Sequence, residues 1–241
     1  MKLKFISKNN ICSDIWQLHF IKPIGFKYSA GQYLETLIPD ARADERGNTR
    51  WFTMSSSPTQ KDIIITTRLV SKHSEFKDDL FHLKSGDVIA AKGPMGEFVL
   101  PNKTAKITWI AGGIGVTPFI SQLQFLLDTK DLSRDITLIH GLQELNQNPC
   151  ADLIKKCQEA MPNFKLIQVI SGQTPKGWSG PVGYIDDKVI KNYLVDYTQR
   201  DTYVSGPEPM VDAIAEMLTT KLKVSKDKIH QDWFPGYKEK Y

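Results

Sequence analysis

The chain has 241 residues, 41% hydrophobic and 24% charged, with a formal net charge of +4. This gives one large domain or two modest ones, each with room for a core, and excludes a disordered tail, a collagen-like chain and a small disulfide scaffold. The longest apolar runs, such as Ile110 to Ile120, fall short of the roughly 20 residues of a membrane span, and Met1-Lys-Leu-Lys-Phe5 has no apolar stretch behind its lysines, so no secretory signal is expected.

The charge is unevenly placed. Residues 1–104 hold 15 Lys and Arg against 11 Asp and Glu, and residues 105–241 hold 16 of each. The excess is too weak for nucleic-acid binding but suits an anionic cofactor or an acidic partner. Cys12, Cys150 and Cys157 form no CxxC pair. They cannot supply the four thiolates of an iron–sulfur cluster, and they read as reduced thiols of a cytoplasmic protein. The histidines show no metal spacing, so no metal site is expected.

From Lys2 to Pro101 the chain reads as short strands: Ile15–Ile21, Gln32–Ile38, Trp51–Met54, Ile63–Val70 and Asp87–Lys92. Gly and Pro punctuate them, and only Phe76–Leu83 looks helical. Such a series predicts an antiparallel barrel or sandwich. The pattern changes at Ala105. Ile107–Ala111, Ile136–His140, Phe164–Ile170 and Thr202–Ser205 read as strands. Helical stretches end near Asp128 and Met161, and an amphipathic helix runs from Pro209 to Leu222. Alternating strands and helices predict a parallel sheet. The boundary is placed at Asn102-Lys-Thr104, giving domains over residues 1–103 and 104–241.

Ala111-Gly-Gly-Ile-Gly-Val-Thr-Pro118 lies between an apolar strand and a helix. Gly112, Gly113 and Gly115 allow a sharp turn and close approach of a ligand; Thr117 suits an N-cap and Pro118 a first helical residue. Free amides at such a helix start fit a pyrophosphate. The run is not G-x-G-x-x-G, and the next strand ends in His140-Gly141 rather than an acid, so a plain tight turn stays open. In Arg50-Trp-Phe-Thr-Met-Ser-Ser-Ser-Pro58, Arg50 and Phe52 share a strand face with Thr53 adjacent. An Arg can grip a phosphate and an aromatic can stack on a flat ring, though a half-buried strand with a surface Arg reads the same way.

In this order and spacing, these segments resemble the ferredoxin–NADP reductase superfamily, in which a flavin-binding antiparallel barrel precedes a nicotinamide-binding α/β domain. Arg50-Trp51-Phe52-Thr53 resembles the family's Arg-x-Tyr-Ser/Thr, with Phe for Tyr. Thr66-Thr67-Arg68 resembles its second flavin strand and His73-Ser74 its flavin-pyrophosphate turn. Gly93-Pro-Met-Gly-Glu-Phe98 looks like the segment closing the barrel, and Gly112-Gly113-Ile114-Gly115-Val116-Thr117-Pro118 like the nicotinamide-pyrophosphate loop. Ser205-Gly206-Pro207 resembles Cys-Gly-Pro with Ser for Cys, and Asp232-Trp233-Phe234 the C-terminal acidic-x-aromatic motif.

The resemblance implies FAD as cofactor and NAD(P)H as substrate. Gly172 follows Ser171 where NADP-dependent relatives often carry Arg, which tilts the expectation mildly to NADH, although Lys176 is close enough to serve. Thr53 would bond the flavin N5, while Arg50 and the Ser74 backbone would hold its diphosphate. Ser205 would stand by the nicotinamide, Asp232 would steer the ring or pass a proton, and Phe234 would cover the flavin from a returning C-terminal tail. The implied activity is hydride uptake from NAD(P)H by FAD, with electrons passing to a ferredoxin, flavodoxin or oxygenase component. A reductase of free flavin, ferric chelates or quinones, and a flavin-binding subunit without turnover, are the alternatives.

Overall fold

A computed structural model describes residues 1–39, 47–71, 73–101 and 105–234, with Phe234 described by its backbone alone. The chain divides into two compact units, one of residues 1–100 with 117–125, the other of residues 101–116 with 126–241. The junction expected at Asn102–Thr104 lies outside the described residues.

The first unit holds β1 (Lys2–Cys12), β2 (Ile15–Ile21), β3 (Tyr33–Leu37), β4 (Thr49–Thr53), β5 (Asp62–Arg68), α1 (Glu75–His82) and β6 (Val88–Met95). They form one six-stranded sheet in the order β4-β3-β6-β1-β2-β5, antiparallel throughout. Its two edges meet. Met54, just past β4, bridges Ile65 of β5, and the Ser55 N–H donates to the Ile64 carbonyl at 2.8 Å. Closure hides the edge donors and acceptors that an open sheet would expose, and makes the sheet the expected barrel. Period-two alternation sends Leu3, Phe5, Leu18, Phe20, Leu34, Ile63 and Ile65 into one core with Phe76 and Leu80 of α1. Ser74 caps α1, its hydroxyl accepting from the Lys77 N–H.

The second sheet contains β7 (Ile107–Gly112), β8 (Ile136–Leu142), β9 (Phe164–Ile170), β10 (Asp201–Pro207) and β11 (Ile229–Phe234). All pairs are parallel, in the order β11-β10-β7-β8-β9. The helices are α2 (Thr117–Asp128), α3 (Ala151–Ala160), α4 (Asp187–Tyr193) and α5 (Glu208–Thr220). Every residue of β7 is buried, as a central parallel strand covered on both faces requires. In α5, Val211, Ile214, Met217 and Leu218 fall on one face at helical spacing and join Ile110, Ile139 and Val204 of the sheet in a shared core.

Strand order fixes where this sheet can hold a ligand. From β7 the chain steps outward through β8 and β9, then returns to the other side of β7 for β10 and β11. The carboxyl ends of β7 and β10 therefore flank a topological switch point, where open α/β sheets leave a crevice.

The amino ends are clamped instead. The Arg200 side chain is 5% exposed and bonds Asp196 at 2.7 Å, Asp135 at 2.8 Å and the Ile107 carbonyl at 3.2 Å. Lys106 also reaches Asp196, at 2.9 Å.

Two elements differ from the sequence reading. Sequence gives β11 only as a tail motif. Its residues Ile229-His-Gln-Asp-Trp-Phe234 show no apolar alternation and become a strand by pairing with β10. Helix α4 carries no expectation from sequence; the Asp186 side chain accepts from the Val189 N–H and starts it. All three cysteines are free thiols, with Cys150 and Cys157 buried. No helix among the described residues is long and apolar enough to cross a membrane.

Candidate functional site

Parallel register aligns one transverse row near the carboxyl ends of the second sheet. Asp232 pairs with Ser205, Ser205 with Ala111, Ala111 with His140, and His140 with Gln168. Register partners in a sheet point to one face, so this row gathers on a single side residues that lie far apart in sequence.

At the end of β7, Gly112 leads into a 3-10 turn, Gly113–Val116, and then directly into α2. Thr117 is therefore the first residue of the helix and not the expected N-cap, because the preceding turn is already helical. Pro118 follows it, and both are buried. The glycines have different reasons to be glycine. A Cβ on Gly115 would lie 2.3 Å from the Ser205 carbonyl oxygen and 2.6 Å from the Gly206 Cα, so this position lets the turn press on β10. A Cβ on Gly112 would strike the Met210 sulfur at 2.1 Å. Gly113, at φ +51°, would meet nothing within 4 Å. Gly113 and Ile114 are half-buried, whereas Gly115 and Val116 are buried. The loop thus leaves Gly113 and Ile114 partly exposed and packs its remainder, an arrangement compatible with backbone contact to a phosphate group.

Ser205 is fully buried, and its hydroxyl donates to Asp232 Oδ2 at 3.2 Å. Burial raises the Asp232 carboxyl to about 6, and the Ser205 hydrogen bond only partly opposes this. Such a group exchanges a proton close to neutral pH. Gly206 and Pro207 continue β10 to the start of α5, opposite Trp233 and Phe234 of β11. The motif Ser-Gly-Pro and the motif Asp-Trp-Phe, separate in sequence, are therefore neighbours. The ring of Phe234 and the tail Pro235–Tyr241 lie outside the described residues.

Sequence reasoning assigns His140 no role. It is fully buried and holds the Gly113 carbonyl through Nε2 at 3.0 Å. Burial pulls its ring down to about 4, so it is neutral at physiological pH. Its Nδ1 has no hydrogen-bond partner among the described residues.

In the barrel, Arg50 and Phe52 share a face as expected, and both meet Phe76. The Arg50 guanidinium sits 5.1 Å from the Phe76 ring centre, and the Phe52 and Phe76 rings stack at 6.2 Å. Arg50 also donates to the carbonyls of Gly47 and Thr49. Trp51 turns the other way, toward Tyr33 and Glu35. Thr53 is 4% exposed, and its hydroxyl bonds no described residue, leaving it available to a ring nitrogen.

The remaining candidates spread out. Thr66 bonds Ser55 at 2.7 Å. Thr67 is buried on the strand face of Ile63 and Ile65. Arg68 is held by Asp14 at 2.9 Å. His73 bonds the Val70 carbonyl and Asp78, and the Ser74 hydroxyl caps α1.

An antiparallel barrel is followed by a parallel α/β unit with a glycine turn at its switch point, a place where such sheets bind nucleotides. Residues 109–216 match the family described as the oxidoreductase NAD-binding domain. The chain is 28% identical over 200 residues to a subunit of the Na(+)-translocating NADH-quinone reductase of Marinomonas sp. (strain MWYL1), covering 78% of this chain and 49% of that protein. It thus spans about half the length of the curated relatives it matches.

Two solved structures match almost end to end. The FAD/NAD-binding domain of nitric oxide dioxygenase from Vibrio cholerae has a TM-score of 0.80 at 16% identity, over 97% of this chain and 98% of that one. A mutant ferredoxin–NADP+ reductase of Plasmodium falciparum has a TM-score of 0.78 at 20% identity, over 97% and 96%. The chain shares the fold of both structures.

Proposed function

We propose that this chain is an FAD-dependent reductase that accepts hydride from NADH, or less readily NADPH, and delivers electrons to a separate redox partner. The observation that carries the reading is the alignment of Ser205 with Asp232 beside the glycine turn at the switch point. The backbone at Gly113 and Ile114 receives the nucleotide pyrophosphate, where no side chain obstructs it. Ser205 orients the nicotinamide end by its hydroxyl, and Asp232 holds that hydroxyl and can keep or release a proton near pH 6.

In the barrel, Thr53 offers an unengaged hydroxyl, Phe52 a ring backed by Phe76, and Arg50 a cation, a donor set that fits an isoalloxazine and its diphosphate. The flavin, when bound, supplies the passage from two-electron hydride to single electrons. The polar and aromatic groups of the protein fix position and exclude water.

The test is anaerobic mixing of the FAD-loaded protein with NADH and, in parallel, NADPH. Rapid loss of the oxidised-flavin absorbance, faster with NADH, is expected; no reduction by either nucleotide would overturn the reading. The partners implied by the family resemblance are a ferredoxin, a flavodoxin or an oxygenase component. A second reading follows from the name of the curated relatives: the chain is the NADH-oxidising part of a quinone-reducing assembly. Steady-state turnover with added ferredoxin against turnover with a soluble quinone separates the two.

A further inference from the structure

His140 is a buried polar group of the second sheet that the proposed reaction leaves unused. His140 stands on β8, one strand from β7, in the transverse row that contains Ser205 and Asp232. Its ring is fully buried, and Nε2 lies 3.0 Å from the Gly113 carbonyl oxygen. A neutral imidazole has one N–H and one bare nitrogen. A carbonyl oxygen can only accept, so the proton must be on Nε2, and Nδ1 is the bare acceptor, buried with no partner among the described residues. The cost of burying Nδ1 unpaired is tolerated for the sake of a single hydrogen bond to the glycine turn.

That bond acts on more than the carbonyl. The peptide unit is planar and trans, so its C=O and its N–H point in opposite directions. Drawing the Gly113 oxygen toward β8 therefore turns the Ile114 N–H away from β8. Gly113 is at φ +51°, with no Cβ and open space above it. A Cβ there would meet nothing, and glycine changes backbone conformation more readily than any other residue, so the bond from His140 can bias this peptide. A flipped peptide would present an oxygen, in place of an N–H, to an incoming phosphate.

We propose that His140 is a positioning residue for the nucleotide: its Nε2–H anchors the Gly113 carbonyl, so that the Ile114 amide faces the pyrophosphate. This rests on the reading of the glycine turn as the nucleotide site. The group recognised is the dinucleotide diphosphate, and the nicotinamide end is not involved. The effect therefore belongs to binding, with the hydride step left intact once NADH is bound.

His140→Phe keeps a flat ring of similar size and removes the donor. His140→Gln returns an N–H at about the reach of Nε2. One hydrogen bond to the loop corresponds to about a tenfold change in affinity. In the FAD-loaded protein, His140→Phe is expected to raise the KM for NADH and the Kd for ADP-ribose about tenfold, with kcat at saturating NADH within twofold of wild type. His140→Gln is expected to recover most of the loss.

Unchanged KM and Kd in folded His140→Phe would overturn the proposal, as would a fall in kcat alone, or a Gln variant no better than Phe. If His140→Phe does not fold, Gln is compared with Asn, whose shorter amide cannot reach Gly113. Asn is then expected to bind ADP-ribose about tenfold more weakly than Gln, and equal affinity would overturn the proposal. Gly113→Val serves as the control for the underlying reading. If it binds ADP-ribose like wild type, the glycine turn is not the site and both readings fall. If it loses binding while His140→Phe does not, only the role of His140 falls.

Discussion

The two ends of the parallel sheet are made from the same five strands and built to opposite rules. At the amino end, Arg200 satisfies two carboxylates and a backbone carbonyl, and Lys106 adds a second cation to Asp196. At the carboxyl end, a glycine turn faces open space, His140 Nδ1 is buried unpaired, and Asp232 is a carboxyl raised toward neutrality. One end gains stability from the pairing around Arg200. The other forgoes some stability, and under the proposed function its backbone amides and its raised acid serve a ligand.

Substitutions at the two ends should separate stability from function. The largest effect is expected from Arg200→Met, which strands Asp135 and leaves Asp196 with Lys106 alone. A fully buried pair broken in this way costs about 3–5 kcal/mol. Because Asp135 is 34% exposed, about 2–3 kcal/mol is expected here. Thermal melting should drop accordingly, while NADH affinity of the folded protein stays within twofold. Lost NADH affinity without lost stability would erase the contrast.

Next comes Gly115→Ala, whose Cβ would lie 2.3 Å from the Ser205 oxygen. Overpacking of this kind costs about 1–3 kcal/mol. It should lower both the Tm and the rate of flavin reduction by NADH, since it pushes the turn off β10. Gly113→Ala makes the sharper test. The left-handed backbone costs about 1–2 kcal/mol, but there is room for the methyl. The flavin should stay bound and NADH reduction should weaken about tenfold; unaltered reduction kinetics would place the ligand elsewhere.

Two smaller effects concern pH. The folded Asp232 carboxyl is raised from 3.8 to about 6. Its contribution to stability is thus complete below about 4 and lost as pH rises through about 6. Asp232→Asn should raise the Tm at pH 8 and leave it unchanged at pH 3.5; the reverse order would mean that the carboxylate is well solvated. Asp196 is lowered from 3.8 to about 2, first by its hydrogen bond from Arg200. It stabilises the fold above about 4, and that contribution fades as pH falls through about 2. The acid limb of a Tm-against-pH curve should therefore flatten in Arg200→Met; an identical limb would remove Arg200 as the cause.

Local patterns were legible where local chemistry determines structure. The apolar run Ile107–Ala111 followed by glycines announced a buried strand and a turn, and Arg50 and Phe52 at period two announced a shared face. What could not be read locally was register. Ser205 and Asp232 each stood out by resemblance, but their contact depends on β11 pairing in parallel with β10, and the polar run Ile229–Phe234 gives no period-two signal. His140 drew no role from sequence because its partner is a backbone carbonyl on the neighbouring strand end, which has no side-chain signature. Arg200 escaped for a related reason, since its partners Asp135 and Ile107 are distant in sequence and meet only once the strands align. Arg68, singled out for a cofactor, is held by Asp14 in the turn before β2, a contact its sequence neighbours do not announce.

The central claim is that the carboxyl end at β7 and β10 receives the nucleotide while the amino end serves the fold. Amide hydrogen–deuterium exchange of the FAD-loaded protein, with and without saturating NAD+, tests it directly. The account expects slowed exchange at residues 113–116 and 205–206, and no change around Asp135, Asp196 and Arg200. Protection concentrated at the amino end, or none at the glycine turn, would contradict it.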